Sequence, residues 1–481
     1  MSRETKVGLA LIVAAVGLGS FGDALFQGQP LGLNVPLWTV CFVAALALLL
    51  RVARAPLHQG RRFMAAPLLV FAALFVWHDS PLLVAANLLA LAGAVGIGAL
   101  RGSRPRLRTA TLTDYGTGFL HAARSTLGGA LLMSDVRWDE LAGRARSEKA
   151  AGVARGLVLA VPLLFVFGAL FVAADAVFKH LLSSAVPAID LTTAERFVVI
   201  AVWAWLAGGL LRDLIATRTE VRIAHLRPRL RALEVNVALG LLNVLFLAFV
   251  VVQFRYLFGG QALVASTAHL TYAEYARHGF FELVAVTALT LPVLLAADWT
   301  LGRDGRRLFR WLAVALLVLL GVVIASALER MRLYMREFGL TELRLYATGV
   351  IIWLAIVAAW FALTVLRGRR HAFAAGALVS GFALTLALNI ANPDALIART
   401  NVTRPAVDVS YLGRLSDDAV PTLVSRIWTL PAPQRALLAQ SLLRRGDAGG
   451  DWRGWNVARS RAATAIRAHR AELQALVERG P

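Results

Sequence analysis

Residues 233–258 read LEVNVALGLLNVLFLAFVVVQFRYLF, and residues 218–231 just before them read RTEVRIAHLRPRLR. The first stretch has the length and apolarity of a membrane span. A run of about 20 apolar residues crosses the hydrocarbon core as a helix, because lipid offers backbone polar groups no hydrogen-bond partner. The second stretch is a basic connection of the kind held on the cytoplasmic side. Working outward, the same alternation recurs along most of the chain.

By apolar length the sequence predicts about eleven spans, at residues 7–26, 31–50, 63–77, 81–100, 152–174, 197–215, 233–256, 280–297, 311–327, 345–366 and 373–389. The third is short enough to be tilted or re-entrant. A hydrophobic fraction of 58% and a mean hydropathy of +0.66 agree with this reading. The expected fold class is all-α: a polytopic transmembrane helical bundle with a small helical C-terminal extracytoplasmic domain. The expected organisation is four spans in residues 1–100, a cytoplasmic amphipathic helical loop in 101–151, seven spans in 152–392, and a tail in 393–481.

The formal net charge of +21 would suggest a nucleic-acid partner in a soluble chain. Here the basic residues crowd short connections beside apolar spans. The positive-inside rule accounts for them, and the lipid bilayer is the expected partner. With the N-terminus, Arg3 and Lys6 in the cytoplasm, every second connection should be basic. These are Arg51/Arg54/Arg61/Arg62, Arg101/Arg104/Arg106/Arg108, the stretch from Arg212 to Arg231, Arg303/Arg306/Arg307/Arg310 and Arg367/Arg369/Arg370. Most of the intervening connections carry few positive charges, and residues 329–344 mix Arg with Glu. An odd number of spans then puts the C-terminus outside. The opening residues could pass for a signal peptide, but they lack a clean cleavage site and read as the first anchor.

Catalytic signatures are missing from the sequence: no GxxxxGK[ST], HExxH, GxSxG or paired CxxC. Cys41 is alone in an apolar run, and the His residues are scattered singly. No metal site and no cofactor is expected. Ionisable groups near the spans are the remaining signal, because a charge in lipid must pair or face water. Glu282 begins the eighth span. Glu274 with Arg277 or His278 can pair on one helix face. Thr385, Asn389 and Asn392 form a polar stripe, as do Asn236, Gly240 and Asn243. The bland reading of both stripes is interhelical hydrogen bonding. In the cytoplasmic loop Phe119, Leu120, Ala123, Leu127 and Leu131 recur at helical spacing, and Ser134-Asp135 offers a cap for a second helix through Trp138 and Leu141.

Three polar-rich segments fall on the predicted outer side: residues 271–282, 329–346 and 389–401. They supply a candidate outer-face cluster of Glu274, Tyr275, Arg277, Glu282, Glu329, Glu342, Arg344, Tyr346, Asn389, Asn392, Asp394 and Arg399, joined by Asp175 from the preceding outer connection. Partial dehydration at the membrane–water boundary would strengthen their ion pairs and hydrogen bonds. The bland alternative is a set of surface caps with interfacial Tyr and snorkelling Arg.

Several of these segments also carry a family resemblance. Ala174-Asp175-Ala176-Val177-Phe178 after Pro162, then TYAEYARHGFFEL (271–283), GLTELRLY (339–346) and NPDALIARTNV (392–402) resemble one bacterial family of multi-span membrane proteins. Asp408, Tyr411-Leu412, Leu415-Ser416, Asp418-Ala419-Val420-Pro421, Trp452 and Trp455-Asn456 continue the pattern. The family is known only as a domain of unknown function (4173, with the related 4153), and the resemblance runs from about residue 152 to the C-terminus. It implies a helical inner-membrane protein and brings no activity, substrate or cofactor.

The working expectation is a non-enzymatic plasma-membrane protein whose outer-face cluster and tail bind an envelope component or protein partner. Two rivals stand beside it. A transporter would need Glu282, Asn243 and Asn389 to line one wet cavity. An enzyme on lipid-linked substrates would use Glu274, Glu282 or Glu342 as acid or base.

Overall fold

In a computed structural model, the residues described are 2–55, 59–100, 110–129, 136, 153, 156, 160, 191–215, 231–258, 280–301, 306–445 and 450–479. Every regular element among them is helical. Ten of the helices are long and apolar enough to cross a membrane. They match ten of the eleven predicted spans; the other, at 152–174, lies almost wholly outside the described residues. The protein is therefore an all-α, multi-pass membrane protein, and it divides into two compact units.

The first unit holds α1 (Arg3–Phe26), α2 (Asn34–Val52), α3 (Gln59–Trp77), most of α4 (Pro81–Gly98), α5 (Leu112–Leu127) and α6 (Leu191–Ile215), together with residues 448–457. Without a hydrophobic force between helices in lipid, small residues decide who packs with whom. Gly19 shows this: a Cβ there would lie 2.5 Å from the Ile200 carbonyl oxygen and 2.8 Å from the Ala204 Cβ. The backbones of α1 and α6 meet at that point. A salt bridge from Arg196 Nε to buried Asp23 Oδ2, at 3.2 Å, ties the same pair of helices.

Helix α3 is longer than the apolar count suggested. The polar lead Gln59-Gly60-Arg61-Arg62 is already helical, so the element has 19 residues instead of a re-entrant stub. Helix α5 falls where the spacing of Phe119, Leu120, Ala123 and Leu127 suggested a helix. Thr111 and Asp114 form a capping box at its start. Gly118 and Ala122 are its buried positions, Ser125 Oγ donates to Asp213 Oδ1 at 2.9 Å, and Phe119, Leu120 and Leu127 stay exposed. Gly209 of α6 meets the backbone of Ser125 and Thr126, Gly118 lies against the Ala99 carbonyl just past α4, and the apolar stripe stays exposed. The second loop helix proposed at Ser134-Asp135 lies outside the described residues.

Residues 450–457 are stitched to the ends of this unit's helices. Asn456, almost fully buried, donates from Nδ2 to the Phe75 and His78 carbonyls, both at 2.8 Å, and Leu33 N–H donates to the Trp455 carbonyl at 3.0 Å.

The second unit holds α7 (Ala232–Phe258), α8 (Phe280–Thr300), α9 (Arg306–Phe338), α10 (Glu342–Thr364) and α11 (Arg370–Ala391), then the tail, plus residues 79–83. Leu239, Leu294, Leu316, Leu320, Ile351 and Phe361 centre its spanning core. Polar locks fasten the helices. Asn243 Nδ2 donates to the Leu312 carbonyl at 3.1 Å, Trp353 Nε1 to Ser380 Oγ at 3.0 Å, and Arg330 Nη2 to Gln253 Oε1 at 2.6 Å. The predicted ninth span is only part of α9, which continues through Glu329 to Phe338 for 33 residues. At 1.5 Å per residue it is about 50 Å long, well beyond a hydrocarbon core of about 30 Å. Its end carries the α9–α10 turn clear of the span.

The tail builds its own apolar core from α12 (Pro393–Asn401), α13 (Val409–Leu412), α14 (Val420–Arg426), α15 (Ala432–Leu443), α16 (Val457–Ala468) and α17 (Arg470–Glu478). Ile397, Leu412, Leu423, Leu438, Leu442 and Leu473 are among its buried members, and Leu340 of the α9–α10 turn packs against them. The last stretch of the tail is two helices, α16 and α17, broken at His469. The His469 ring bonds the Ala465 carbonyl at 3.2 Å, and α17 folds back onto α15.

Replacing Gly19 by Leu should destabilise the first unit, since inserting a side chain into a filled contact costs about 1–3 kcal/mol. The expected reading is a lower unfolding temperature of the detergent-solubilised protein; an unchanged transition would contradict the close α1–α6 approach.

Candidate functional site

The predicted outer-face cluster resolves into a smaller group in the second unit, centred on Asp394. Its position follows from two chain reversals. At the first, α9 ends at Gly339, whose φ of +78° is the left-handed conformation that glycine adopts without cost. Asn401 clamps the following residue on both sides: Leu340 N–H donates to Asn401 Oδ1 at 2.9 Å, and Asn401 Nδ2 donates to the Leu340 carbonyl at 2.7 Å. Thr341 then caps α10, accepting from Arg344 N–H at 3.4 Å. The Glu342 N–H, one of the helix's orphan donors, is met by the Tyr411 hydroxyl at 2.9 Å. Glu342 is thereby held at the head of α10.

At the second reversal, Asn392 ends α11 and caps α12. It sits at φ +46°, ψ +77°, and its Oδ1 accepts from Ala395 N–H at 3.3 Å. Pro393 follows at the first helical position, where a missing N–H costs nothing. Asp394 is next. It is 0% exposed, and its Oδ2 accepts from Ser416 N–H at 3.2 Å. The Glu342 carboxyl group lies within hydrogen-bonding reach of it.

Asp418 closes the ring. Its Oδ2 accepts from Asp79 N–H at 2.8 Å and from Ser416 Oγ at 3.3 Å, while its Oδ1 accepts from Asn392 Nδ2 at 3.3 Å. Asp79 pairs with Arg459, and Asp417 pairs with Arg445 at 2.8 Å. The Tyr346 hydroxyl, one helical turn beyond Glu342, faces Ser80.

The electrostatics follow from burial among like charges. Burial pushes the Asp394 carboxyl above the usual range; the Ser416 hydrogen bonds oppose this and Asp418 adds to it. Asp79 is raised to about 6, chiefly by burial, with Asp417 and Asp418 reinforcing and Arg459 opposing. Burial also pushes the Tyr411 phenol up. Such a group can hold a proton, bind a cation, or accept hydrogen bonds from a partner's donors.

Of the predicted cluster, Glu342, Tyr346, Asn392 and Asp394 meet here. Arg344 does not join them. It turns back over the Tyr334 ring, 3.9 Å from its centroid, and donates to the Gly339 carbonyl at 2.6 Å. Glu329 pairs with Arg332 one turn away on the surface of α9. Asn389 is buried and donates to Thr385 of its own helix at 2.8 Å. Glu282 and Arg399 are exposed. Asp175, Glu274, Tyr275 and Arg277 lie outside the described residues. The predicted cluster lacked Asp79, Ser80, Tyr411, Ser416, Asp418 and Arg459. Tyr411, Ser416 and Asp418 stand within the resemblance motifs, and the connection His78-Asp79-Ser80 is legible as outer; Arg459 carries no signal.

The family described as a domain of unknown function (DUF4153) matches residues 65–425. The chain belongs to this family. No curated protein and no solved structure matches the chain. The DUF4153 match begins inside α3 and ends in α14, so it takes in α3 and α4, which lie ahead of the resemblance motifs, and stops short of α15 to α17. It includes every member of the Asp394 group; Arg445 and Arg459, which pair with neighbouring acids, lie beyond it.

Two outcomes test this geometry. Asn401→Ala strips both backbone partners from Leu340, and an unmet buried donor or acceptor costs about 1–3 kcal/mol. Thermal unfolding should shift down accordingly, and Asn401→Asp should recover only part. The second concerns pH. Because Asp79 binds its proton more tightly folded than unfolded, its stabilisation is complete below about 4 and is lost as pH rises through about 6. Asp394 acts in the same direction. The unfolding temperature should therefore fall between pH 5 and 7, and Asp79→Asn should flatten part of that fall.

Proposed function

We propose that this protein is an envelope-facing binding or sensing protein of a bacterial plasma (inner) membrane, working without catalysis. Its N-terminus lies in the cytoplasm and its C-terminal tail outside. Its contact surface is the Asp394 group together with the tail that encloses it. The distribution of arginine among the connections supports that orientation. So does the grouping of the α9–α10 turn, the α11–α12 corner, residues 79–80 and the tail within one unit.

The observation that carries the reading is the burial of Asp394 beside Glu342 and Asp418. Three carboxyl groups from separate segments converge, while the nearby arginines are engaged elsewhere, Arg344 with carbonyls and Arg459 with Asp79. A helix cap alone requires only one such acceptor. Concentrating buried acidic groups costs stability, and strongly perturbed titratable groups gather preferentially at functional sites.

Two experiments test this. Glu342→Gln and Asp394→Asn should each abolish complementation of a deletion strain's envelope phenotype at normal protein levels, while Glu282→Gln and Arg399→Ala should complement fully. Full complementation by both cluster variants would remove the proposal. For orientation, alkaline phosphatase fused after Pro481 should be active and a cytoplasm-only fluorescent reporter dark; the opposite pattern would invert the topology.

A further inference from the structure

Three side chains of the Asp394 group have a buried oxygen without a formed hydrogen bond, and Glu342 adjoins them. Asp394 Oδ1 is buried without a formed hydrogen bond from an N–H or hydroxyl, its other oxygen being used by Ser416, and the Glu342 carboxyl is within its reach. Ser80 is 0% exposed, and its Oγ is likewise without a formed hydrogen bond. The Tyr346 hydroxyl oxygen is buried beside Ser80. Glu342 adjoins Asp394 and keeps partial access to solvent. These groups come from residues 79–80, the first turns of α10 and the first turn of α12.

The count of donors does not close. Each hydroxyl can give one proton and the Glu342–Asp394 pair can share one, whereas two carboxyl groups and two hydroxyl oxygens offer more lone pairs than these meet. A buried polar group left unmet costs free energy, so this arrangement calls for a further positive species. The arginines of the region are already committed: Arg459 to Asp79, Arg445 to Asp417, and Arg344 to backbone carbonyls. The proposed ligands are two carboxyl groups and two hydroxyls, fewer carboxylates than a divalent ion's shell commonly gathers. A small monovalent ion needs less charge and accepts hydroxyl oxygens among its ligands. The complete burial of Asp394 and Ser80 fits a bare ion better than an organic amine.

We propose that Asp394, Glu342, Ser80 and Tyr346 form a binding site for a small monovalent cation, sodium, at the edge of the membrane-spanning bundle. The inference rests on the binding role proposed for this group and names what the group takes. Bound sodium would satisfy the orphaned oxygens and hold the α9–α10 and α11–α12 reversals and residues 79–80 in one arrangement.

The test uses the full-length protein in detergent at constant ionic strength, replacing choline chloride stepwise with sodium chloride. Sodium should raise the unfolding temperature saturably, by about 2–4 °C up to about 200 mM. Asp394→Asn should abolish the rise and Ser80→Ala should weaken it. Equal effects of sodium and choline, or a sodium response preserved in both variants, would overturn the site. Should Asp394→Asn fail to fold, radioactive sodium binding to the unaltered protein, competed by unlabelled sodium, decides the matter: absence of saturable binding overturns the site. If sodium has no effect while Asp394→Asn still fails to complement, the ion is wrong and the binding role stands. A specific sodium response with full complementation by Asp394→Asn would keep the ion and remove the binding role.

Discussion

Backbone polar groups in hydrocarbon have no partner except one another, and the rest of the structure depends on that constraint. It makes every crossing a helix and pushes non-helical backbone to places where side chains or water can meet it. The chain reversals are therefore the points where unusual backbone appears, and each is supplied with its own partners. Asn34, Asn392, Asn401 and Asn456 do this work repeatedly, with amide groups that give and accept at once. The Asp394 group grows out of these reversals. It exists because two turns and the α3–α4 connection must be closed in the same unit, and their acidic residues come along.

The same constraint explains the way helices pair. With apolar side chains as content against lipid as against each other, close approach and polar locks decide the contacts. Gly19 against Ile200, Asn243 against Leu312 and Arg370 against Asp298 are examples within the two units. The polar stripe at Asn243 is thus a fastening, and the asparagine at 389 serves its own helix. Neither needs a water-filled path to explain it, which leaves the acidic group at the helix ends as the feature with chemistry to spare. The tail has an apolar core of its own, and Leu340, just ahead of Glu342, packs against it.

Much of the fold was legible because hydropathy measures the constraint directly: ten predicted spans are helices with shifts of a few residues at their ends. The extensions of α3 and α9 have one cause. Counting stops at the first charge, whereas a helix does not, so Arg61 and Arg62 lie inside α3 and Glu329 to Phe338 inside α9. The candidate site was legible in part. Glu342, Tyr346, Asn392 and Asp394 were marked by their place on one side of the predicted bundle. Arg344, Glu329 and Asn389 shared that address and found partners nearer by, because a local hydrogen bond forms before a distant cluster can recruit the group.

By itself the sequence determined a helical membrane protein whose every second connection is rich in arginine, because lipid exclusion and charge asymmetry are local properties that composition records. Only the tertiary structure decided that Ser80, Glu342, Asp394 and Asp418 lie in one cluster. Their separations in the chain are large, and no periodicity links a connection after α3 with a turn before α10 and a loop in the tail. What joins them is the path of the backbone through two left-handed reversals, and such a path is set by packing, which no window of sequence contains.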